Sequence, residues 1–231
     1  MMIQTVYFDL DNTLYSYDKA HAAAYRALQQ FAEDRLSLVP EQFDLLHAEA
    51  NRILTKRCGG GPAIHNRLIR AQIILELAGL PILYAPQMAE RYWNTFLDHM
   101  EAEPGVMETL EALKAAGLQI GVGTNMTADW QYEKLRRLSL LPLIDLLVTS
   151  EEVNAEKPDS KLFALCAEKA GVPIQACAFV GDSLQKDAVG AKTAGMLGIW
   201  YHPTDAHAPA TAGIREISSL SELPKLLMQI S

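Results

Sequence analysis

The hydrophobic and polar positions of the chain change their periodicity twice. Residues 3–8 are mostly β-branched or aromatic and run directly into the acidic turn Asp9-Leu10-Asp11-Asn12-Thr13, a pattern typical of a buried strand. From about residue 17 to 100 apolar residues recur every three or four positions, which predicts helices. After residue 105 strand-like and helix-like stretches alternate, which predicts a parallel sheet with right-handed crossovers.

The turn residues divide the alternating part into individual elements. Gly117 and Gly171 each follow an apolar helical stretch and are well placed as C-terminal caps. The pattern predicts helices at 106–116, 128–138 and 158–170, strands at 118–123, 144–149, 176–180 and 196–201, and a further helix before the last strand. Together with the first strand, these elements predict a doubly wound, Rossmann-like α/β fold.

The helical stretch interrupts this α/β core directly after its first strand. Breaks at 39–40, 58–62 and 79–81 predict four or five helices within it. We therefore expect two domains: a core made of residues 1–14 and 101–231, and a helical cap at 15–100.

Composition and charge exclude several classes of function. The 231 residues, 49% hydrophobic and 21% charged, are typical of a globular protein with a sizeable core. The net charge of -8 argues against a nucleic-acid polymer as partner, because such binding needs clustered Lys and Arg. With neither a signal-peptide pattern nor a membrane-spanning stretch, we expect a cytoplasmic protein without a membrane partner. We expect it to be a monomer or homodimer. Three cysteines without C-x-x-C spacing indicate buried hydrophobic residues.

Polar residues follow four of the predicted strands, at the edge of the sheet where α/β proteins bind ligands. In the first group, residues two apart in an extended chain point the same way, so Asp9 and Asp11 can face one small volume. Paired acids suit Mg²⁺ ligands or an acid/base beside a nucleophile, although an ordinary turn explains them equally well. An EF-hand calcium loop is excluded, because Leu14 and Ala20 stand where Gly and Glu are required.

The second and third groups contain donors and a cation. The hydroxyl of Thr124 suits a phosphoryl oxygen, whereas Asn125 or Thr127 could simply cap the next helix. Pro158 favours a first helical turn and places Lys157 just before it. An ammonium there could neutralise a carboxylate and a phosphate, and the alternative is a solvated lysine.

The fourth group contains Gly181, Asp182 and Asp187. These acids could complete a magnesium site, or they could favour the start of a helix. The order of the four groups resembles the four motifs of the haloacid dehalogenase-like hydrolases over nearly the whole chain. The helical insert after the first motif resembles the C1-type cap of phosphoglycolate phosphatase-like and nucleotidase-like members.

The resemblance implies a Mg²⁺-dependent phosphatase that acts on a small phosphorylated metabolite. It implies that Asp9 is the nucleophile, transiently phosphorylated, and that Asp11 is the general acid/base. Thr124, Asn125 and Lys157 would bind the phosphoryl group. It implies that Asp9, the backbone carbonyl of Asp11, and Asp182 bind the metal. Asp187 would either bind the metal through water or orient Lys157.

Other functions remain as alternatives. Dehalogenases of this superfamily resemble the pattern without the second acid and need no metal, so Asp11 argues against that activity. A phosphorylated signalling receiver carries similar residues on a parallel sheet, but the position of Asp9 on the first strand and the helical insert disfavour it. A non-catalytic binding protein is the third alternative.

Substrate choice is expected to lie mainly in the cap. The turn at residues 59–61 is either a loop that contacts substrate or a plain connection between helices. The Asp-Asn-Thr-Leu-Tyr sequence resembles nucleotidase-like members and favours a nucleoside 5′-monophosphate. The candidate contact residues are Tyr15, Tyr17, Arg52, Arg57, His65, Arg67, Arg70, Asn125, Met126 and Trp130.

Overall fold

The computed structural model describes residues 2–59, 61–203 and 213–230. The chain folds into two compact units, one formed by Met1–Ser16 with Ala102–Ser231 and the other by Tyr17–Glu101. We call them the α/β unit and the helical unit. Their boundaries differ by one or two residues from those expected for the core and the cap.

The described part of the α/β unit contains a six-stranded sheet, in which every neighbouring pair of strands is parallel. Its strands are β1 (Thr5–Phe8), β2 (Gln119–Thr124), β3 (Leu146–Thr149), β4 (Cys177–Gly181), β5 (Leu197–Tyr201) and β6 (Arg215–Ile217). The order is β3-β2-β1-β4-β5-β6. The predicted doubly wound α/β fold is confirmed, and the predicted strands agree with β1 to β5 within two residues. The sequence patterns did not predict β6.

The register of the central strands brings their carboxyl ends to one edge of the sheet. Phe8, the last residue of β1, lies opposite Val122 in β2 and Val180 in β4. The residues that follow these three strands therefore emerge side by side, which is the arrangement that parallel α/β sheets use for ligand binding.

Four α-helices make up most of the helical unit as far as it is described. They are α1 (Tyr17–Leu36), α2 (Pro40–Cys58), α3 (Arg67–Ala78) and α4 (Ala85–Asp98). Gly59 ends α2 in a left-handed conformation, and Gly61 precedes the 3₁₀ turn Pro62–His65. Gly60, in the predicted loop, lies outside the described residues. No described helix of either unit is long and apolar enough to cross a membrane.

Six α-helices belong to the described part of the α/β unit. They are α5 (Val106–Ala115), α6 (Ala128–Arg137), α7 (Ser150–Val153), α8 (Ser160–Ala170), α9 (Gly190–Ala194) and α10 (Leu223–Ile230). The prediction that Pro158 lies in a first helical turn is wrong. Asp159 caps α8 by accepting a hydrogen bond from the Lys161 N–H, so the helix begins at Ser160.

One hydrophobic cluster of the α/β unit lies between the sheet and α8. Phe163 on α8 packs edge to face against Phe179 on β4, with ring centroids 5.0 Å apart. The buried Tyr7 side chain donates its hydroxyl hydrogen to the Cys166 carbonyl at 2.7 Å. Cys166 and Cys177 are buried, as predicted, whereas Cys58 is only half-buried. This packing buries the face of the sheet that lies against α8.

Candidate active site

Lys157 joins three of the four predicted groups in one buried cluster. Its Nζ lies 2.7 Å from Asp9 Oδ1 and 2.7 Å from Asp187 Oδ1, and it donates to the Gly123 carbonyl at 3.1 Å. The side chain of Lys157 is 2% exposed. Lys157 is thus buried between two carboxylates, and the alternative interpretation as a solvated lysine does not apply.

The charges in this cluster perturb one another. Burial opposes the charge of Lys157, but the carboxylates of Asp187 and Asp9 outweigh that effect and raise its pKa. Burial raises the pKa of Asp9 to about 7, against the opposing effect of Lys157, and the negative charges of Asp187 and Asp11 add to the increase. The cluster therefore contains more negative charge than its one lysine compensates.

Three carboxylates of this cluster fit a divalent cation. Asp9, Asp182 and Asp187 each offer an oxygen, and these oxygens lie within 4.8 Å of one another. Burial, with the charge of Asp187 next in size, raises the pKa of Asp182 to about 6. Hard oxygen donors with uncompensated negative charge are the ligands that Mg²⁺ prefers in proteins. The Asp11 carboxylate lies outside this group of three.

The loop that carries Asp182 is held by contacts from two other elements. The Thr13 hydroxyl accepts a hydrogen bond from the Asp182 N–H at 3.1 Å, and the Trp200 indole donates to the Asp182 carbonyl at 2.8 Å. Ser183, not Asp182, caps the helical turn that follows. The Asp182 carboxylate is thus not used as a helix cap.

Asp187 lies in that helical turn and is 1% exposed. Its Oδ2 accepts a hydrogen bond from the Ser183 N–H at 3.0 Å, while Oδ1 faces Lys157. An acid in a first helical turn is favourable, as the sequence allowed. Its burial against Lys157 adds a contact that the sequence alone did not show.

Thr124 and Asn125 make different contacts at the end of β2. The Thr124 hydroxyl is buried and accepts a hydrogen bond from Gln131 Nε2 at 2.7 Å. The Asn125 side-chain carbonyl accepts from the Lys157 N–H at 2.9 Å and so holds the loop of Lys157. Thr127 is the N-cap residue of α6, but its hydroxyl donates to Asp129 instead of accepting from the helix. The ordinary capping interpretation therefore does not explain these residues.

Asp11 is paired with a cation that was not among the four predicted groups. Lys134 Nζ lies 2.7 Å from Asp11 Oδ1, and the side chain of Lys134 is 0% exposed. The Tyr15 hydroxyl donates to the same oxygen at 2.5 Å. The two acids of the first group are thus paired with different lysines.

Gln131 and Lys134 were missed because polar residues on a helix are normally exposed. A signal was present, since positions 131, 134 and 135 have the i, i+3, i+4 spacing of one helix face, and Leu135 is apolar. The side chains of all three are fully buried. The sequence placed Thr13 in the first group but did not predict its hydrogen bond with Asp182.

The remaining candidates for substrate contact fall into several environments. Arg52 is exposed and pairs with Glu49 on its own helix, and Arg57 is exposed, so both match the ordinary surface interpretation. Met126 is buried, with its sulfur 3.6 Å from Lys134 Nζ. Trp130 and His65 are half-buried.

Two arginines on α3 lie inside the helical unit. The Arg67 guanidinium lies 4.7 Å from the centroid of the Tyr92 ring and donates to the Tyr17 hydroxyl at 3.0 Å. Arg70 donates to the Ile64 carbonyl at 2.7 Å. Burial and the charge of Arg67 lower the pKa of Arg70 to about 10.

The chain is similar to proteins of one family over most of its length. Residues 3–195 match the model of a hydrolase family described as haloacid dehalogenase-like hydrolase. A ribulose-1,5-bisphosphate 5-phosphatase from Halopiger xanaduensis is 34% identical over 207 residues, which are 88% of this chain and 87% of the relative. The pyrimidine 5′-nucleotidase YjjG of Escherichia coli is 28% identical over 225 residues, 96% of either chain.

A solved structure extends the similarity to the fold. The crystal structure of a 2-haloacid dehalogenase from Pseudomonas syringae pv. Tomato superposes with a TM-score of 0.80 at 31% identity and covers 100% of both chains. Relatives in sequence and in structure therefore carry two different activities on one architecture.

Proposed function

The chain is a phosphatase of the haloacid dehalogenase-like hydrolase family, and we propose that it cleaves small phosphomonoesters with Mg²⁺ through an aspartyl-phosphate intermediate. The observation that carries this proposal is the buried Lys157 between Asp9 and Asp187, with Asp182 in the same carboxylate group. Phosphoryl transfer depends mainly on positioning and charge neutralisation, and this cluster suits both needs.

Asp9 and Asp11 have different roles in the reaction, as nucleophile and as general acid/base. Asp9 attacks phosphorus, so that an Asp9–phosphorus bond forms while the bond to the leaving oxygen breaks. Asp11 gives its proton to that oxygen. It then takes a proton from the water that attacks phosphorus, and the Asp9–phosphorus bond breaks. Each carboxylate ends the cycle as it began.

The other residues compensate negative charge and orient the phosphoryl group. Lys157 compensates the negative charge of Asp9 and of the phosphoryl oxygens. Gln131 donates to the Thr124 oxygen at 2.7 Å, whereas the Thr124 hydroxyl donates only a long hydrogen bond, 3.4 Å, to the Asn125 carbonyl. The hydroxyl would exchange this long bond for one to a phosphoryl oxygen. Asp9, Asp182 and the backbone carbonyl of Asp11 would hold Mg²⁺, with Asp187 beside them. When bound, Mg²⁺ supplies positive charge that stabilises the phosphoryl oxygens and keeps Asp9 ionised.

Dehalogenation is the second candidate, favoured by the 31% identical dehalogenase structure. A single carboxylate can displace halide, whereas expelling an alkoxide from phosphate requires a proton donor. In this chain Asp11 is present and its carboxylate is held by two donors, Lys134 and Tyr15. A proton donor held in this way assists the expulsion of an alkoxide in a phosphatase, whereas displacement of halide does not need one.

We assign substrate selectivity to the helical unit, because the residues around Asp9 recognise only the phosphoryl group. Arg67 and Arg70, one turn apart on α3, give this unit positive charge suited to an anionic substrate. We rank sugar phosphates first, since the 34% identical relative acts on ribulose 1,5-bisphosphate. Nucleoside 5′-monophosphates, favoured by the sequence, come second. The cytoplasmic location and the monomeric or homodimeric state stay predictions.

The test is phosphate release from a substrate panel with Mg²⁺ or with EDTA. The panel contains ribulose 1,5-bisphosphate, glyceraldehyde 3-phosphate, phosphoglycolate and nucleoside 5′-monophosphates, with 2-chloropropionate for halide release. We expect Mg²⁺-dependent phosphate release that is lost in Asp9→Asn and retained in Asp34→Asn, a matched exposed acid in the helical unit. Chloride release without Mg²⁺, in the absence of phosphate release, would establish the second candidate instead.

A second measurement addresses the intermediate. Acid quenching of the wild-type protein during turnover of a ³²P-labelled substrate should leave label on the protein that hydroxylamine removes, because acyl phosphates react with hydroxylamine. Asp9→Asn should carry no label. Label that survives hydroxylamine, or that persists in Asp9→Asn, would refute the assignment of the nucleophile.

A further inference from the structure

Helix α6 directs a buried cation at the second acid of the site. Lys134 has a side chain that is 0% exposed, and its Nζ lies 2.7 Å from Asp11 Oδ1. Desolvating an ammonium is costly, so a lysine on the buried face of a helix requires a compensating partner. The Asp11 carboxylate, 123 residues away in sequence, is that partner.

Two donors converge on one oxygen of this carboxylate. Lys134 and the Tyr15 hydroxyl both approach Oδ1, the latter at 2.5 Å. Tyr15 is itself fully buried, and Lys134 Nζ lies 5.6 Å from the centroid of its ring. Two hydrogen bonds from fixed donors restrict the rotation of a carboxylate far more than one does. The Asp11 side chain is therefore held through Oδ1.

The same helix face also reaches the Thr124 group. Gln131, one turn before Lys134, donates to the Thr124 hydroxyl at 2.7 Å and to the Asn125 carbonyl at 3.0 Å. Residues three apart on a helix project from one face. Helix α6 therefore holds groups that follow two different strands, β1 and β2.

We propose that Lys134 is a positioning residue for Asp11. Together with Tyr15, it fixes Oδ1 so that Oδ2 is the oxygen that gives a proton to the leaving group and later takes one from water. The inference rests on the proposed phosphatase mechanism and adds to it the residue that orients the general acid/base. Lys134 acts through Asp11 and does not itself contact the reacting atoms.

The test compares Lys134→Met and Lys134→Arg in the wild-type and Asp11→Asn backgrounds. Lys134→Met should lower kcat for an alkyl phosphate about 10- to 100-fold with little change in KM, because small misplacements of a catalytic group are costly. Lys134→Arg, which keeps a cation able to reach Oδ1, should restore most of the rate. In the Asp11→Asn background Lys134→Met should add less than about a twofold loss, because residues that act through one another are not additive.

The leaving group gives an independent readout. With p-nitrophenyl phosphate, whose phenolate needs little protonation, phosphorylation of Asp9 should be spared and hydrolysis of the phosphoenzyme should become limiting. Lys134→Met should therefore accumulate phosphoenzyme and show a burst of nitrophenol. A purely structural role for Lys134 would slow both substrates alike and produce no burst.

Lys114→Met is the matched control, since Lys114 forms an ion pair with Asp145 in the same unit. It should leave kcat unchanged. If Lys134→Met does not fold, Tyr15→Phe removes the other donor to Oδ1 and is judged by the same criteria. An unchanged kcat, or an equal loss in the Asp11→Asn background, would overturn the inference while leaving the phosphatase intact. A wild-type protein that releases no phosphate from any phosphomonoester would overturn both proposals.

Discussion

Replacing Lys157 by Met should destabilise the α/β unit in a pH-dependent manner. The substitution removes the ammonium that lies 2.7 Å from both Asp9 and Asp187, and it keeps a side chain of similar length. Both carboxylates are largely shielded from water, with exposed fractions of 13% and 1%. They would then face each other without their common partner.

The magnitude follows from the cost of leaving a buried charge uncompensated. Removing one partner of a buried ion pair costs about 3–5 kcal/mol. In a chain of this size each kcal/mol lowers Tm by about 2–4 °C. We therefore expect Tm to fall by roughly 6–20 °C at pH 8 in EDTA, as the product of those two ranges.

The pH dependence has a definite sign. The pKa of Asp9 in the folded protein is about 7, raised above its ordinary value of 3.8, and Lys157 is the group that opposes the increase. Without Lys157 the pKa of Asp9 should be higher still. A carboxyl with a raised pKa in the folded state loses its stabilising contribution as pH rises through that pKa. The Tm difference from wild type should thus be smaller at pH 5 than at pH 8.

Thermal denaturation of Lys157→Met and of Lys161→Met in EDTA provides the measurement. Lys161 is an exposed lysine on α8 and should tolerate the same change. Adding Mg²⁺ should recover part of the lost stability of Lys157→Met, because a cation again compensates the carboxylates. A Tm at pH 8 within about 2 °C of wild type, less than 1 kcal/mol, would refute the reasoning.

Two further predictions concern the carboxylates that we propose bind Mg²⁺. Gly181→Ala would place a Cβ 2.3 Å from Asp187 Oδ2, so the Asp187 side chain or the backbone beside it must shift. We expect stability in urea to fall by about 1–3 kcal/mol and Mg²⁺ activation to weaken, and a variant equal to wild type in both would contradict this steric argument. Mg²⁺ must displace protons from Asp9 and Asp182, whose pKa values are about 7 and about 6. The Tm gain on adding Mg²⁺ should therefore grow from about pH 5 to about pH 8, and a constant gain would rule out this linkage.

The sequence by itself determined the fold class and the order of the chemical groups. Hydrophobic periodicity is a local property, so the strands at 118–123 and 176–180 were predicted within one residue of β2 and β4. Parallel strands deliver the residues at their carboxyl ends to one edge, so the strand pattern alone was enough to expect Asp9, Thr124 and Asp182 near one another.

Elements without a strong local pattern needed the tertiary structure. Strand β6 has three residues, and it is defined by its pairing with β5. The start of α8 depends on which side chain caps the helix. Asp159 does so, and the helix therefore begins at Ser160 instead of at Pro158. Such choices are decided by hydrogen-bonding geometry and not by residue type alone.

The partners of the groups that we propose to be catalytic depend on tertiary packing. Lys134 and Asp11 are 123 residues apart, and their contact depends on which face of α6 lies against the sheet. The pairing of Thr13 with Asp182 likewise spans 169 residues. No local pattern encodes such contacts, because they arise where separate loops converge on one sheet edge. The sequence therefore named the groups that we propose react, and only the folded structure showed which residues hold them in place.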